Sequence, residues 1–328
     1  MNTNISSNRM GIVSFKSTSH CGVILDGKEY LCQFSSRVKL SQSDRFTEHK
    51  NQVSARQLEN SIVVGDRVNV LLDQGSQPLI VERLPRHNQL SRSTSNRPGG
   101  TMFEQVLASN VDQVIAVIAA ANPEPKWNLL DRYLVMSESV ELPVWIVITK
   151  TDLVEPNHGR DELNQQLAVY QTIGYPVLLT SSLQQIGINM LRSILKQKNS
   201  VLIGKSGVGK TSLLNALLPG LDFRVSNVNE ITGKGRHTTS AMRLLPIDEE
   251  TTLIDSPGTR EFGLWDIDPD DLDWCFKEMR PYLGKCKFKL DCQHEDEPGC
   301  AVRQAVVNGQ IDPHRYHSYL KLKEDYLL

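Results

Sequence analysis

Eight consecutive residues carry the most specific chemistry in this chain. Gly204-Lys205-Ser206-Gly207-Val208-Gly209-Lys210-Thr211 matches G-x-x-x-x-G-K-[ST] at every fixed position. It follows an apolar run, Ser200 to Ile203, and opens into Ser212-Leu-Leu-Asn-Ala-Leu217, so the pattern predicts strand, loop and helix in that order. Glycines let backbone N–H groups converge on phosphate oxygens, and the helix amino terminus adds positive potential. Lys210 is expected to reach the β- and γ-phosphates and the Thr211 hydroxyl to ligate Mg²⁺. Downstream, Thr252-Leu-Ile-Asp255-Ser-Pro-Gly258 is an apolar run ending in an acid and a glycine turn. Asp255 is placed to hold Mg²⁺ through water, and the Gly258 N–H to sense the γ-phosphate. Between the two lies Gly233-Lys-Gly-Arg-His237-Thr238-Thr239, polar and glycine-rich, with the composition of a switch loop whose threonine completes the metal shell.

A base reader is expected elsewhere. Val144 to Ile148 leads into Thr149-Lys150-Thr151-Asp152, close to N-K-x-D with Thr in place of Asn. A carboxylate at Asp152 accepts from guanine N1–H and the 2-amino group, donors that adenine does not offer in that arrangement. The Lys150 stem can lie over the ring. A second apolar run, Tyr175 to Leu179, ends in Thr180-Ser181-Ser182, suited to support the base. All these strings follow predicted strands, and ligands of open α/β sheets bind at the carboxyl ends of strands.

These residues need elements to hold them. The chain has 328 residues, 39% hydrophobic and 23% charged, enough for two domains and a small third. Disorder and fibrous architecture are excluded, and no run of ~18 apolar residues is present. The amino terminus has no secretory pattern, so a cytoplasmic, non-membrane protein is expected. The net charge of -2 conceals +5 over residues 1–100 against -7 over the rest, which suggests a polyanion partner for the amino-terminal part. There, Gly11–Phe15, Cys21–Leu25, Glu29–Phe34, Asp66–Leu71 and Leu79–Glu82 read as five short strands, with Asp26-Gly27 as a hairpin turn. A small barrel of oligonucleotide-binding type is the natural candidate. Residues 83–103, with Arg83, Arg86, Arg92 and Arg97 and no acid before Glu104, read as a flexible basic linker able to lie along phosphates. From about 106 apolar and helix-like runs alternate, the mark of a parallel sheet covered on both faces. Beyond Trp265 the pattern predicts acidic helix over Asp266–Met279, then helical stretches in which Tyr316, Tyr319, Leu320 and Lys323 share a face. Cys286, Cys292, His294 and Cys300 fall between them and form a Cys₃His set suited to one closed structural Zn²⁺ site. His314 and His317 read as surface or packing residues.

The order of the motifs is unusual: the base reader (149–152) and its support (180–182) precede the phosphate loop (204–211), the switch (238–239) and the metal aspartate (255). In ordinary GTPases the phosphate loop comes first and the base reader last, so the motif order here is that of a circularly permuted domain. With a basic barrel before it and a Cys/His cluster after it, the chain resembles the RsgA/YjeQ family of ribosome small-subunit biogenesis GTPases from about residue 10 to 325. Cys286 and Cys292 are one residue further apart than the C-x4-C of many members. The resemblance implies a multi-domain α/β protein. It comprises an OB-type β-barrel with basic linker over residues 1–97, a permuted P-loop GTPase domain over 98–264 and a zinc-binding helical domain over 265–328. It implies GTP hydrolysis coupled to late maturation of the small subunit, with 16S-type rRNA as partner and the protein acting as a monomer. The nucleotide-binding set runs over Thr149, Lys150, Thr151, Asp152, Ser181, Ser182, Gly204 to Ser212, Thr238, Asp255 and Gly258. Thr259 occupies the position where ordinary GTPases orient water with glutamine, so the resemblance assigns catalysis to His237, with Lys210 and Thr239. The competing readings are a GTPase acting on another RNP or in translation, an ATPase, and a nucleotide-independent RNA-binding protein.

Overall fold

The computed structural model describes residues 7–40, 62–73, 76–95, 102–155, 158–219, 242–256, 267 and 271–327. Its amino-terminal part is a closed barrel of β1 (Ser7–Lys16), β2 (Cys21–Leu25), β3 (Lys28–Leu40), β4 (Arg67–Leu72) and β5 (Leu79–Arg83), in the order β1-β2-β3-β5-β4. All neighbours are antiparallel except β3 and β5. Asp26 and Gly27 both have positive φ (47° and 75°), the backbone a tight two-residue hairpin turn demands. Alternation along the strands sends Val13, Val23, Val68, Val70 and Ile80 into the barrel core.

The basic linker is not what the composition suggested. β6 (Gln89–Ser95) and β7 (Met102–Ser109) pair as an antiparallel ribbon on either side of the 97/98 boundary. Arg83 is buried. Arg86 sends Nε and Nη2 to the two oxygens of Asp66, at 2.6 and 2.8 Å. Asp66, itself fully buried, also accepts from the Ser109 hydroxyl and the Val63 N–H. A buried carboxylate needs such partners, so the arginine is consumed as a structural tie between barrel and ribbon. Arg97 lies outside the described residues.

The central sheet has the order β10-β9-β8-β11-β13-β12, made from β8 (Gln113–Ala119), β9 (Val144–Thr149), β10 (Val177–Leu179), β11 (Asn199–Ile203), β12 (Arg243–Pro246) and β13 (Thr252–Asp255). It is parallel apart from β12, which pairs antiparallel with β13 at the edge. Every residue of β8 is buried, as a strand covered on both faces requires. One face packs against α1 (Trp127–Ser139) and α2 (His158–Ile173), the other against α3 (Ile188–Leu195) and α4 (Lys210–Leu217).

The carboxyl-terminal part contains α5 (Ala301–Val307) and α6 (Pro313–Leu327). The helix expected over Asp266–Met279 is not formed among the described residues there. Leu272, Cys275, Phe276 and Met279 are buried with helical spacing, but the chain holds them with i→i+3 turns such as Cys275 N–H to Leu272 O. Two carbonyls that an α-helix would use are taken by side chains: Asp271 O by the Cys275 thiol and Trp274 O by Arg280 Nε. The tail is keyed to the central domain by Arg315, only 1% exposed. Its Nη1 reaches Asp131 Oδ1 of α1 at 2.6 Å and its Nε reaches Glu278 Oε1 at 2.6 Å. Tyr170 and Ser318 hydroxyls donate to the same Asp131.

Replacing Arg315 with Ala should cost on the order of 3–5 kcal/mol, because Asp131 and Glu278 would remain buried without their cation. Arg315→Lys should recover only part of this, since one ammonium cannot serve both carboxylates in the same fork. Thermal denaturation of the two variants checks both expectations.

Candidate nucleotide site and metal centre

The phosphate loop joins β11 to α4 where only glycine fits. A Cβ on Gly204 would lie 2.6 Å from the Val117 carbonyl oxygen, and Gly207 and Gly209 have φ of 82° and 98°. Gly209 caps α4, and Lys210 is its first residue. The Lys210 ammonium is buried and donates to the carbonyls of Gly204 at 2.5 Å and Lys205 at 3.3 Å, so its charge is centred beneath the loop. Thr211 is half-buried beside it and Ser212 is exposed.

Asp255 ends β13, and its Cα pairs in register with Leu202 on β11. The sequence separation of loop and acid is closed by this strand pairing. Burial raises the Asp255 carboxyl to about 6 although the Lys210 charge pulls it down. Burial correspondingly lowers Lys210, opposed by Asp255. Asp255 Oδ1 is buried and has no hydrogen-bond partner among the described residues. A buried carboxylate oxygen left over beside a phosphate loop suits a hard divalent cation, so Thr211 and Asp255 fit Mg²⁺.

The base loop is built from two strand ends. Lys150 adopts the left-handed conformation (φ 56°) and starts a short 3₁₀ turn, Thr151–Leu153. Ser181, fully buried, donates its hydroxyl to Asp152 Oδ1 at 2.5 Å, while Thr151 donates to the Thr180 carbonyl at 3.0 Å. Ser182 is half-buried next to this pair. A carboxylate fixed by one hydroxyl keeps capacity for further donors. Thr149 does something the spacing did not reveal: its buried hydroxyl donates to the carbonyls of Val208 in the phosphate loop and Ile118 at the end of β8. Lys150 does likewise with Gly207 O at 2.7 Å and with Asn122 O. The base loop and phosphate loop are thus bolted together through side chains of the former and carbonyls of the latter. His237, Thr238, Thr239 and Gly258 lie outside the described residues.

The four predicted metal ligands come together. The ligand atoms of Cys286, Cys292, His294 and Cys300 all lie within 4.8 Å of one another, and all four residues are buried. His294 Nδ1 is 3.6 Å from Cys286 Sγ and 3.4 Å from Cys300 Sγ, and the two sulfurs are 3.9 Å apart. Tetrahedral Zn²⁺ with bonds of about 2.3 Å to sulfur and 2.0 Å to nitrogen implies S···S near ~3.8 Å and S···N near ~3.5 Å, so the donors fit that ion. Burial works against the Cys286 thiolate, but N–H groups of Ala301 and Val302 outweigh it and hold its pKa below the ordinary value. The Ala301 N–H points at this sulfur at 3.2 Å. Asp273 accepts from His294 Nε2 at 3.2 Å, leaving Nδ1 for the metal. No motif marked Asp273, which is 21 residues away in sequence. Tyr316, Tyr319 and Lys323 do share a face of α6, and it clamps the Gln293–His294 carbonyls. His317 is exposed, and His314 lies 3.8 Å from Asp131, away from the cluster.

Comparison with known proteins agrees with this architecture. The RsgA GTPase family profile matches residues 83–265. A curated relative from Gemmatimonas aurantiaca, named small ribosomal subunit biogenesis GTPase RsgA, is 40% identical over 312 residues, covering 94% of this chain and 98% of its own length. Its namesake in Marinobacter nauticus is 41% identical over 81% of this chain and 74% of its own. Among solved structures, YjeQ from Thermotoga maritima aligns with a TM-score of 0.71 at 33% identity, covering 98% and 99% of the two chains. YloQ, described as a circularly permuted GTPase, aligns at 0.67 and 26% identity, covering 97% and 95%.

Two outcomes follow from the site geometry. The native Asp255 carboxyl holds its proton to about pH 6, whereas the unfolded one releases it near 3.8. The native state therefore binds more protons between those values, and this group makes stability fall as pH rises through them. Asp255→Asn should raise the melting temperature of nucleotide-free protein at pH 7.5, by about 1–3 kcal/mol in stability, with a smaller gain at pH 5. The same substitution should weaken Mg²⁺-dependent nucleotide binding at least ~10-fold; in the parent protein that binding should itself weaken as pH falls through 6. For the metal centre, Asp273→Asn should lower zinc affinity ~10–100-fold, read by competition with a chromophoric chelator.

Proposed function

Since this chain belongs to the RsgA GTPase family, we propose that it binds the small ribosomal subunit, hydrolyses GTP there, and uses hydrolysis to leave the particle late in assembly. The observation that carries this reading is the convergence of base loop, phosphate loop and Asp255 on the carboxyl edge of one sheet, in permuted order, with a Cys₃His module attached behind them.

In this reading the N–H groups of Gly204 to Thr211 cradle the phosphates. Lys210 turns its ammonium from loop carbonyls to the β- and γ-phosphates of GTP. Asp152, steadied by Ser181, accepts from guanine, and the Lys150 stem covers the ring. Thr149 keeps the base loop in register with the phosphate loop and does not itself read the base. Thr211 and Asp255 hold Mg²⁺, which when bound offsets charge that develops on the phosphates during transfer. His237 acts on the attacking water, and Thr238, Thr239 and Gly258 respond to the γ-phosphate. Zinc holds the carboxyl-terminal module in shape through Cys286, Cys292, His294 and Cys300. The barrel and this module contact 16S-type rRNA, the protein acts as a monomer, and it works in the cytoplasm. Among the described residues no helix is long and apolar enough to cross a membrane.

GTP turnover by the purified protein, alone and with small subunits, large subunits or ATP in place of GTP, tests the reading. Slow intrinsic GTP hydrolysis with strong stimulation by small subunits only is expected, and Lys210→Ala should abolish it. Turnover indifferent to every ribosomal particle would remove the ribosome from the proposal while leaving the nucleotide site.

A further inference from the structure

A cavity of the described molecule lies away from the phosphate loop. It lies between the start of α1 and the face of α6 that meets it, and has a volume of about 500 Å³. Lys126, Arg132, His314 and Lys321 line it, no Asp or Glu does, and the Trp127 ring forms part of its wall. The chain as a whole carries -2, so two lysines and an arginine around one hollow whose lining holds no Asp or Glu stand out, with His314 beside them 3.8 Å from Asp131. Lys126 and Lys321 are exposed and His314 is partly so. Trp127 is fixed by stacking on Tyr170, with ring centroids 5.8 Å apart. The walls are rigid for a reason already described: α1 and α6 are locked together by Asp131 and Arg315, and by Ser318, which itself lines the hollow. Lys126 also lines a second, smaller recess, shared with Lys205 and Val208 of the phosphate loop. Lys126 and Leu129 border both, so the hollow lies beside this recess, which Glu124 also lines.

Cations arranged around an aromatic wall are the combination that holds single-stranded nucleic acid: ammonium and guanidinium groups follow the phosphates while a base lies on the ring. A hollow of this size encloses one or two nucleotides. We propose that this cleft is an RNA-binding site, which takes the phosphodiester backbone and one base of a single-stranded segment. The proposal rests on the reading that the protein works on an RNA particle, and it adds a site on the permuted domain itself, apart from the barrel and the metal module. Because Lys126 also borders the recess lined by Lys205 and Val208, RNA held by Lys126 would lie beside the flank of the phosphate loop.

The test is binding of a fluorescently labelled twelve-nucleotide single-stranded RNA to the full-length protein at several salt concentrations. The parent protein is compared with Lys126→Glu/Lys321→Glu and with a charge-matched control at two exposed positions elsewhere on the domain, Arg160→Glu/Lys196→Glu. Melting temperature and GTP affinity are measured on all three to confirm that fold and nucleotide site are intact. The expected result is an affinity loss of at least ~10-fold in the cleft variant, with a salt slope shallower by about 2, and little change in the control. RNA binding that survives in the cleft variant, or falls equally in the control, would overturn the cleft and leave the RNA-particle reading standing. Failure of the parent protein to bind RNA at all would overturn both. Full displacement of the RNA by micromolar mononucleotide would make the cleft a small-molecule site and overturn the commitment to RNA.

Discussion

The buried contact between Arg315 and Asp131 is the constraint on which the carboxyl-terminal half depends. A carboxylate with no exposed surface sits in the middle of α1, and a guanidinium from α6 meets it with two hydroxyls in attendance. Such a pair adds little net stability over apolar residues of the same shape, but separating it is costly. Its effect is therefore to forbid other placements of the tail. The aromatic faces of Phe276 and Tyr170 around the guanidinium, at 4.7 and 5.7 Å, leave it no second orientation. Lys277 and Arg280 repeat the same device on Glu138, one further point along α1. Helix α1 thus carries the tail on one side and the sheet with its nucleotide edge on the other.

Fixing the tail matters because of the permuted order. The strand that ends in Asp255 is the last of the sheet in sequence, and the next described elements belong to the tail. At its other edge the same sheet reaches the barrel: Arg243 of β12 pairs with Asp255 in register, contacts Glu29 at 3.2 Å and lies over the Phe15 ring. One cross-strand pair therefore stands between Asp255 and the amino-terminal module. The barrel is thus held close to Asp255, and the tail follows that strand in sequence. A chain in the ordinary order would place its base loop, not the strand ending in Asp255, before the tail in sequence.

Much of this was legible in the sequence because the signals are short-range. Strands β1 to β5 announced themselves by alternation and by Asp26-Gly27, and the phosphate loop by glycines that no other residue can replace at Gly204. The Cys₃His set was legible because thiolates and imidazole at close spacing have few other uses. The failures were of another kind. Arg86 looked like a phosphate ligand because composition cannot show that Asp66, twenty residues away, is buried and needs a cation. Residues 271–279 have helical spacing, yet side chains outbid backbone N–H groups for the carbonyls at 271 and 274. Asp273 and Thr149 carried no motif for the parts they play, since both act across tertiary contacts that periodicity does not encode.

Thr149 shows how far such a contact can change the meaning of a residue. In the motif it stands where Asn is usual; in the fold it gives its one proton to backbone carbonyls, with Val208 of the phosphate loop among them. A hydroxyl has a single donor, so whatever guanine recognition the loop performs must come from Asp152 and its Ser181 support. The substitution of Thr for Asn then exchanges side-chain reach for a short, β-branched strut with few rotamers, buried where the two loops meet. Rigidity between base and phosphate loops is what a site needs if binding energy gained at the base is to position the γ-phosphate.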